Sequence, residues 1–197
     1  MNNLDLIANR RSPNAPSFSI KNRLQRSVWQ VVWLLGARWT PPPLHLWRVF
    51  LLRMFGARVA RSAHVYSNVE IWAPWNLEIH PFGSLGRGVR CYNIAKLSIG
   101  YKAVVSQGAY LCTGTHDFRD PAFPLIAKPI TVGARAWICA HAFVGPGVIV
   151  GEGAVLGAMA VAVNDLDKWT VYAGNPAVAG RARPPIDDVA PRQNTHS

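Results

Sequence analysis

A six-residue repeat in the C-terminal half of the chain constrains the fold more than any other feature. Aliphatic residues stand six positions apart, and glycine follows four of them: Val132, Ile138, Val144, Val150 and Leu156. The fifth position of each hexad is small or branched: Ala136, Ala142, Val148, Ala154 and Ala160. A short fixed period is typical of stacked units that are each too small to bury their own apolar face. The pattern predicts a coil of short parallel strands with two inward positions per hexad.

The repeat continues towards the N-terminus when two-residue slips are allowed. Sets of three inward positions begin at Val59, Ile79 and Ile99, and each set starts 20 residues after the previous one. Three hexads per set predict a three-sided prism with one strand on each side, and the slips fall at its corners. The fold class is therefore all-β, with about five coils.

The repeat is interrupted once, between Leu111 and Val132, and residues 112–131 are predicted to leave the prism as a loop. Long loops without their own pattern are uncommon in compact domains and are usually functional. This loop contains His116, whose imidazole can accept a proton from a hydroxyl at neutral pH. Asp117 or Asp120 is expected to fix its tautomer. The alternative is a histidine that only caps a turn.

Residues 18–56 lack the repeat and are predicted to form two helices. The first begins near Ser19 and has apolar residues at helical spacing: Leu24, Val28, Val31, Val32 and Leu35. The second follows Pro41–Pro43 and ends at Gly56. Four tryptophans with neighbouring arginines allow two interpretations that do not exclude each other: Trp29, Trp33, Trp39 and Trp47. The helices either cap the open end of the prism or anchor the protein on acidic lipid.

Charge and cysteine content narrow the function classes. The chain has 21 Lys and Arg against 10 Asp and Glu, which favours an anionic partner such as a phosphorylated cofactor or an acidic membrane. No nucleic-acid motif accompanies the basic residues, so no nucleic-acid partner is predicted. Three cysteines without CxxC spacing and six unpaired histidines predict neither a disulfide framework nor a metal site. Met1–Ser19 lacks the apolar run of a signal peptide, so a cytoplasmic location is expected.

Three segments carry a resemblance to a known family. The hexads at 132–161, the string Cys112–Asp117 and the string Tyr172–Ala177 resemble the left-handed β-helix hexapeptide-repeat acyltransferases. Ile71–Ile79, Ser106–Asp117 and the helical module are similar to the colanic acid biosynthesis acetyltransferases. The likeness covers about residues 17–181. The left-handed sense rests on this resemblance alone, because parallel crossovers are otherwise right-handed.

The resemblance implies an acetyl-CoA-dependent O-acetyltransferase that acts on a sugar hydroxyl in exopolysaccharide biosynthesis, as a homotrimer and without a metal. His116 matches the catalytic histidine, with Asp117 beside it. Asn93, together with Tyr92, matches the acceptor-binding position. The positions implied to contact acetyl-CoA are Trp137, Ala140, Ala158, Val163, Asn164, Arg181 and Arg183. Departures from the family pattern include Cys139, which narrows the slot for the pantetheine arm, and Val178, where relatives have a basic residue.

The predicted domain organisation is a disordered tail at 1–17, a helical module at 18–56, the β-helix at 57–180 and a C-terminal tail at 181–197. Two other functions stay open at this point. One is a non-catalytic scaffold at the membrane that works through the helical module. The other is an antibiotic-modifying acetyltransferase of the same fold.

Overall fold

Each hexad folds into one short strand and one turn, and three hexads complete a coil of a three-sided left-handed parallel β-helix. The computed structural model describes residues 18–186. The predicted disordered tail at 1–17 and residues 187–197 of the predicted C-terminal tail lie outside the described residues. Five coils are complete, as the repeat predicts, and a partial sixth follows, in which Leu166 bridges to Val150.

Strands of successive coils pair in parallel to form the three faces of the prism. The first face consists of β1 (Arg58–Val59), β4 (Leu77–Ile79), β7 (Leu97–Ile99), β12 (Ile130–Val132) and β15 (Ile149–Val150). The second face consists of β2 (His64–Val65), β5 (Ser84–Leu85), β8 (Val104–Val105), β13 (Trp137–Ile138), β16 (Val155–Leu156) and β18 (Thr170–Ala173). The third face consists of β3 (Glu70–Ile71), β6 (Arg90–Tyr92), β9 (Tyr110–Cys112), β14 (Phe143–Val144) and β17 (Val161–Ala162). The last strand, β19 (Val178–Ala182), pairs antiparallel with β18 at the end of the second face.

The core lies inside the prism and consists of the residues that define the repeat. Every predicted inward aliphatic from Val59 to Leu156 is at most 6% exposed, and the small fifth positions from Ala136 to Ala160 are buried beside them. The register explains this burial, because successive coils place equivalent residues opposite each other, such as Ile79 opposite Ile99. The hexad prediction is confirmed.

Two helices, α1 (Ile20–Gly36) and α2 (His45–Met54), precede the first coil, as predicted. Ser19 caps α1 by accepting a hydrogen bond from the backbone N–H of Asn22 at 3.2 Å. Trp29 and Trp33 are 1% and 7% exposed, and their indole N–H groups donate to the carbonyls of Ile71 and Val69 at 2.8 and 3.0 Å. These carbonyls belong to the open edge of the first coil, so α1 caps the prism.

The apolar residues whose spacing predicts helix α1 do not lie on its buried side. Leu24 and Leu35 are 65% and 73% exposed, and Val28 and Val31 are also exposed, whereas Val32 packs partly on the core. Trp39 and Trp47 are exposed as well. The capping interpretation therefore holds for two of the four tryptophans only. Within residues 18–186, no helix combines the length and the apolar character needed to cross a bilayer.

Arg48 of α2 is completely buried and serves the same capping purpose. Its Nε donates to the Val65 carbonyl at 2.6 Å, on the open edge of the second face. Its terminal nitrogens donate to Thr40 Oγ1 at 2.8 Å and to the carbonyls of Pro41 and Pro42 at 3.0 and 2.6 Å. Arg53 caps the first face in the same way, through Nε and the Val59 carbonyl at 2.6 Å.

We expect Arg48→Met to lower the free energy of unfolding by about 3 kcal/mol or more. Methionine fills most of the space but donates no hydrogen bond, and each buried polar group left without a partner costs about 1–3 kcal/mol. Thermal and urea unfolding followed by circular dichroism measure the change. Arg61→Met is the matched control, because Arg61 is exposed on the first coil, which Arg48 caps, and its replacement should change stability by less than about 0.5 kcal/mol. Equal stability of the two variants would contradict the capping role.

Candidate active site

The segment that interrupts the repeat leaves the prism as predicted, but it forms a β-hairpin rather than an irregular loop. Strand β10 (Gly114–His116) pairs antiparallel with β11 (Leu125–Ala127), and His116 lies opposite Leu125. The hairpin leaves at the corner between the third and first faces of the third coil. The repeat already resumes at Ile130, before the predicted end of the loop.

The root of the hairpin is fixed to the second coil through Thr113, a buried polar residue. Its hydroxyl donates to the Tyr92 carbonyl at 2.9 Å and accepts from the Ala95 N–H at 3.0 Å. The backbone of Thr113 bonds to Tyr92 O and to Lys128 N–H, so both arms of the hairpin are held. A Cβ on Gly114 would lie 2.8 Å from Ile94 Cδ1 and 2.9 Å from the Tyr92 ring, so any larger residue would require these side chains to shift. The rigid prism therefore determines where the hairpin starts.

His116 is exposed on the hairpin, and its ring is held by one residue of the opposite arm. The imidazole stacks on the Phe123 ring with centroids 4.3 Å apart, and Nδ1 lies 2.9 Å from the Phe123 carbonyl oxygen. A carbonyl only accepts hydrogen bonds, so this contact assigns the proton of the neutral imidazole to Nδ1. The lone pair of Nε2 is then free to accept a proton, as a general base requires.

Phe123 itself has an unusual backbone conformation. Its φ of 46° lies in the left-handed region, which bulky residues rarely adopt. Its N–H donates to the Asp120 carbonyl at 2.8 Å, which closes the turn that presents the Phe123 carbonyl to His116. Strained residues of this kind concentrate at functional sites. The sequence prediction missed Phe123, because a backbone carbonyl leaves no signature in residue type.

The prediction that a carboxylate fixes the tautomer of His116 is corrected by this geometry. Asp117 Oδ1 accepts the Arg119 N–H at 3.0 Å, and Asp120 Oδ1 accepts the Ala122 N–H at 2.8 Å. Both carboxylates therefore cap turns of the hairpin tip. The ring nitrogen that they were expected to bind is occupied by the Phe123 carbonyl.

Asn93 and Tyr92, the predicted acceptor-binding pair, are placed in different surroundings. Asn93 is fully buried, and its amide accepts from Ala73 N–H at 3.0 Å and donates to Ala73 O at 2.7 Å. It joins the first two coils at their corner and presents no polar atom to a ligand. Tyr92 is partly exposed at the root of the hairpin, and its ring contacts Trp72 at a centroid distance of 4.9 Å.

A cavity of about 540 Å³ separates α1 from the third face next to the hairpin root. Its lining includes Trp29, Trp33, Trp72, Arg90, Tyr92 and Tyr110. The Arg90 guanidinium lies 4.6 Å from the centre of the Tyr110 ring and pairs with Glu70 at 3.4 Å. Burial is the main cause that raises the pKa of Tyr110 to about 12, so its hydroxyl stays protonated at neutral pH. The sequence prediction did not identify this cavity, because its lining comes from four separate elements.

The predicted acetyl-CoA contacts of the β-helix fall on one face and at two different corners of the prism. Trp137 is half-exposed on the second face, with its N–H 2.9 Å from Ser106 Oγ. Ala140 and Ala158 follow at the next corner, where the Ala140 carbonyl accepts the Met159 N–H. Val163 and Asn164 are exposed at the corner that also carries the hairpin. One chain therefore does not bring Trp137 and His116 together.

Arg181 and Arg183 lie at the C-terminal end of the prism. Arg181 is exposed on β19. Arg183 Nη1 donates to the carbonyls of Arg135 and Gly153 at 3.1 and 3.0 Å, so part of its guanidinium is already used in holding the segment after β19 to the prism. The exposed guanidinium of Arg181 is therefore more available than that of Arg183 to bind an anionic group.

The three cysteines are free thiols, and Cys91 and Cys139 are buried. Burial raises the pKa of Cys91 to about 12 and also raises the pKa of Cys139, so both stay protonated. Across residues 18–186, no three His, Cys, Asp or Glu side chains gather as a potential metal site.

Comparison with known proteins decides the family. No protein-family model matches the chain. It is 37% identical over 162 residues to "Putative colanic acid biosynthesis acetyltransferase WcaF" of Escherichia coli K12, which covers 82% of this chain and 89% of that protein. The chain belongs to the hexapeptide-repeat acetyltransferases.

Solved structures of hexapeptide-repeat acetyltransferases share the fold. One from Vibrio cholerae, crystallised with acetyl-CoA, superposes with a TM-score of 0.74 at 21% identity and covers 92% of this chain and 98% of its own. A maltose O-acetyltransferase from Clostridium difficile 630 superposes with a TM-score of 0.71 at 20% identity over 84% of this chain and 89% of its own. The sequence-based assignment of the family and of the left-handed β-helix is confirmed.

We expect His116→Ala to lower kcat about 10²- to 10⁴-fold, the range typical for loss of a general base, and to leave unfolding unchanged because the ring is exposed. Steady-state release of the CoA thiol in the presence of a sugar acceptor measures the effect. Asp117→Asn is the matched control, because an amide oxygen can still accept the Arg119 N–H. A loss with Asp117→Asn as large as that with His116→Ala would contradict the orienting role of the Phe123 carbonyl.

Proposed function

We propose that the chain transfers an acetyl group from acetyl-CoA to a sugar hydroxyl during exopolysaccharide assembly of the colanic acid type. The observation that carries this proposal is the contact between His116 Nδ1 and the Phe123 carbonyl, which leaves Nε2 as a base at an exposed position. The relative named for colanic acid biosynthesis supports the substrate class. The Vibrio structure with acetyl-CoA supports the donor.

In the proposed reaction, Nε2 of His116 removes the hydroxyl proton while the hydroxyl oxygen attacks the thioester carbonyl. The new carbon–oxygen bond forms a tetrahedral intermediate, and a backbone N–H near Ala140 or Ala158 stabilises its oxyanion. The carbon–sulfur bond then breaks, and the imidazolium returns its proton to the departing sulfur. The Phe123 carbonyl serves both protonation states of the ring, because Nδ1 is a donor in each.

We further propose a homotrimer with active sites between neighbouring prisms. Within one chain, the five-stranded third face separates His116 from Trp137, Ala140 and Ala158. Threefold packing of parallel prisms places the hairpin corner of one chain beside the opposite corner of the next. Val163, Asn164 and Arg181 then provide further contacts to the CoA moiety, and Arg183 holds the segment after β19 to the prism. We also propose a cytoplasmic location with peripheral contact to an acidic membrane.

The scaffold and antibiotic-modifying alternatives have no comparable support. A scaffold does not require an oriented imidazole, and the turn at Phe123 with its left-handed φ is unexplained without one. The aromatic cavity beside the hairpin root also contains charged groups, Arg90 and Glu70, which suit a polar acceptor.

The acceptor class is tested by incubating the full chain with labelled acetyl-CoA and a panel of free sugars, sugar nucleotides and chloramphenicol. We expect label on a hydroxyl of at least one saccharide, located by NMR, and none on chloramphenicol. His116→Ala should abolish the product. Transfer to chloramphenicol alone, or to no acceptor at all, would overturn the proposed function.

The shared active site is tested by complementation between two inactive chains. One chain carries His116→Ala, and the other carries Ala158→Trp, which blocks the exposed corner proposed for the pantetheine arm. Random mixing restores both groups at about a quarter of the sites (½ × ½) if each site combines two chains. The rate of acetyl transfer after co-expression measures this recovery. A mixture no more active than its two components would indicate that each site lies within one chain.

A further inference from the structure

Helix α1 is apolar on two opposite sides, and the prism uses only one of them. The buried side carries Trp29 and Trp33. The exposed side carries residues three or four positions apart along the whole helix: Ile20, Leu24, Val28, Val31 and Leu35. At 100° per residue, these five positions form one stripe roughly opposite the two tryptophans. The stripe therefore points away from the first coil and towards solvent.

Helix α2 has an exposed apolar side of its own, and one of its residues bonds to the end of α1. Leu46, Trp47, Phe50 and Met54 are exposed on one side of α2, and the Trp47 and Phe50 rings stack with centroids 5.6 Å apart. The Trp47 N–H donates to the Gly36 carbonyl at 2.7 Å, at the end of α1 next to Leu35. We call these nine residues, five on α1 and four on α2, the α1–α2 apolar surface. Because the Trp47 donor is already satisfied, its ring can leave water without losing a hydrogen bond.

The charges around the α1–α2 apolar surface indicate which kind of partner binds it. Residues 6–69 contain ten of the 21 Lys and Arg residues and no Asp or Glu. Lys21 and Arg23 are exposed on either side of the α1 stripe, and Arg38 and Arg53 are exposed near α2. A second copy of this surface would bring like charges together, which disfavours contact between copies. An anionic lipid surface complements both the apolar stripe and its basic borders.

We propose that the α1–α2 apolar surface docks the protein on a bilayer that contains anionic lipid, with both helices in the plane of the interface. This assigns residues to the membrane contact in the proposed function. The indole donors of α1 face the open edge of the first coil, so the prism stands end-on upon the membrane. A trimer of parallel prisms presents three such surfaces in one plane and strengthens the attachment by multivalency.

The test is flotation of the full chain with vesicles of phosphatidylcholine alone or with about 30% phosphatidylglycerol. We expect binding to the anionic vesicles at about 0.1 M salt and release at about 1 M, because the screening length falls from about 10 to 3 Å. Leu24→Gln/Val31→Gln should lower the partition coefficient at least about tenfold. Lys21→Gln/Arg23→Gln should lower the partition coefficient about fivefold per removed charge on anionic vesicles and leave it unchanged on neutral ones.

The matched control is Phe82→Gln/Ile149→Gln, two apolar residues on the β-helix that are 55% and 53% exposed, against 65% and 54% for Leu24 and Val31. It should bind vesicles like the wild type. Failure of the wild type to bind anionic vesicles, or equal binding to neutral ones, would overturn the proposal. A change of oligomeric state in Leu24→Gln/Val31→Gln, measured by sedimentation without lipid, would assign the surface to contact between copies and also overturn it.

Acetyl transfer separates this proposal from the proposed function. Leu24→Gln/Val31→Gln should acetylate a soluble sugar at the wild-type rate, because neither residue touches the hairpin or the cavity. A wild-type chain that binds anionic vesicles but transfers no acetyl group would leave the docking surface in place and overturn only the enzymatic proposal.

Discussion

Unpaired backbone carbonyls at the open end of the first coil are the constraint on which the N-terminal part of the structure depends. Parallel coils pair with the next coil, so the first one exposes hydrogen-bonding groups that no strand satisfies. Side chains of α1 and α2 satisfy them on all three faces: Arg53 on the first, Arg48 on the second, and Trp29 and Trp33 on the third. Each such group would cost about 1–3 kcal/mol if it were buried without a partner. The choice of Trp and Arg in the cap follows from this requirement.

The candidate site arises where the regular stack stops. A uniform prism offers flat faces, and the interruption after the ninth strand is the place where a side chain can be held away from them. Thr113 fixes the start of the hairpin to the second coil, and the turn at Phe123 fixes the imidazole at its tip. Rigid backbone therefore holds the His116 imidazole from both ends of the hairpin. Such preorganisation is what the proposed general base requires.

The sequence predicts the parts of this structure that follow from the six-residue repeat. It does not predict contacts in which a backbone group determines the position of a side chain. Inward positions from Val59 to Leu156 are all identified, because hexads bury equivalent residues in every coil. The sequence does not identify the buried side of α1, because both sides of the helix are apolar. Only the indole N–H donors of Trp29 and Trp33 distinguish the buried side from the exposed one. The orienting group of His116 is a carbonyl, which any residue type supplies. Asn93 has a side chain that could bind an acceptor, but its amide forms hydrogen bonds with the backbone N–H and carbonyl of Ala73 instead.

The number of coils between the helical cap and the hairpin has a geometric consequence. Neighbouring strands are about 4.8 Å apart, so the hairpin root on the third coil lies about 10 Å further along the prism axis than the first coil. In an end-on orientation, this distance sets the height of His116 above the lipid headgroups. Inserting one coil of about 20 residues between the first and second coils would raise His116 by one strand spacing and keep the contacts of Thr113 with the second coil. In that orientation, the number of coils thus fixes the distance between the His116 side chain and the bilayer surface.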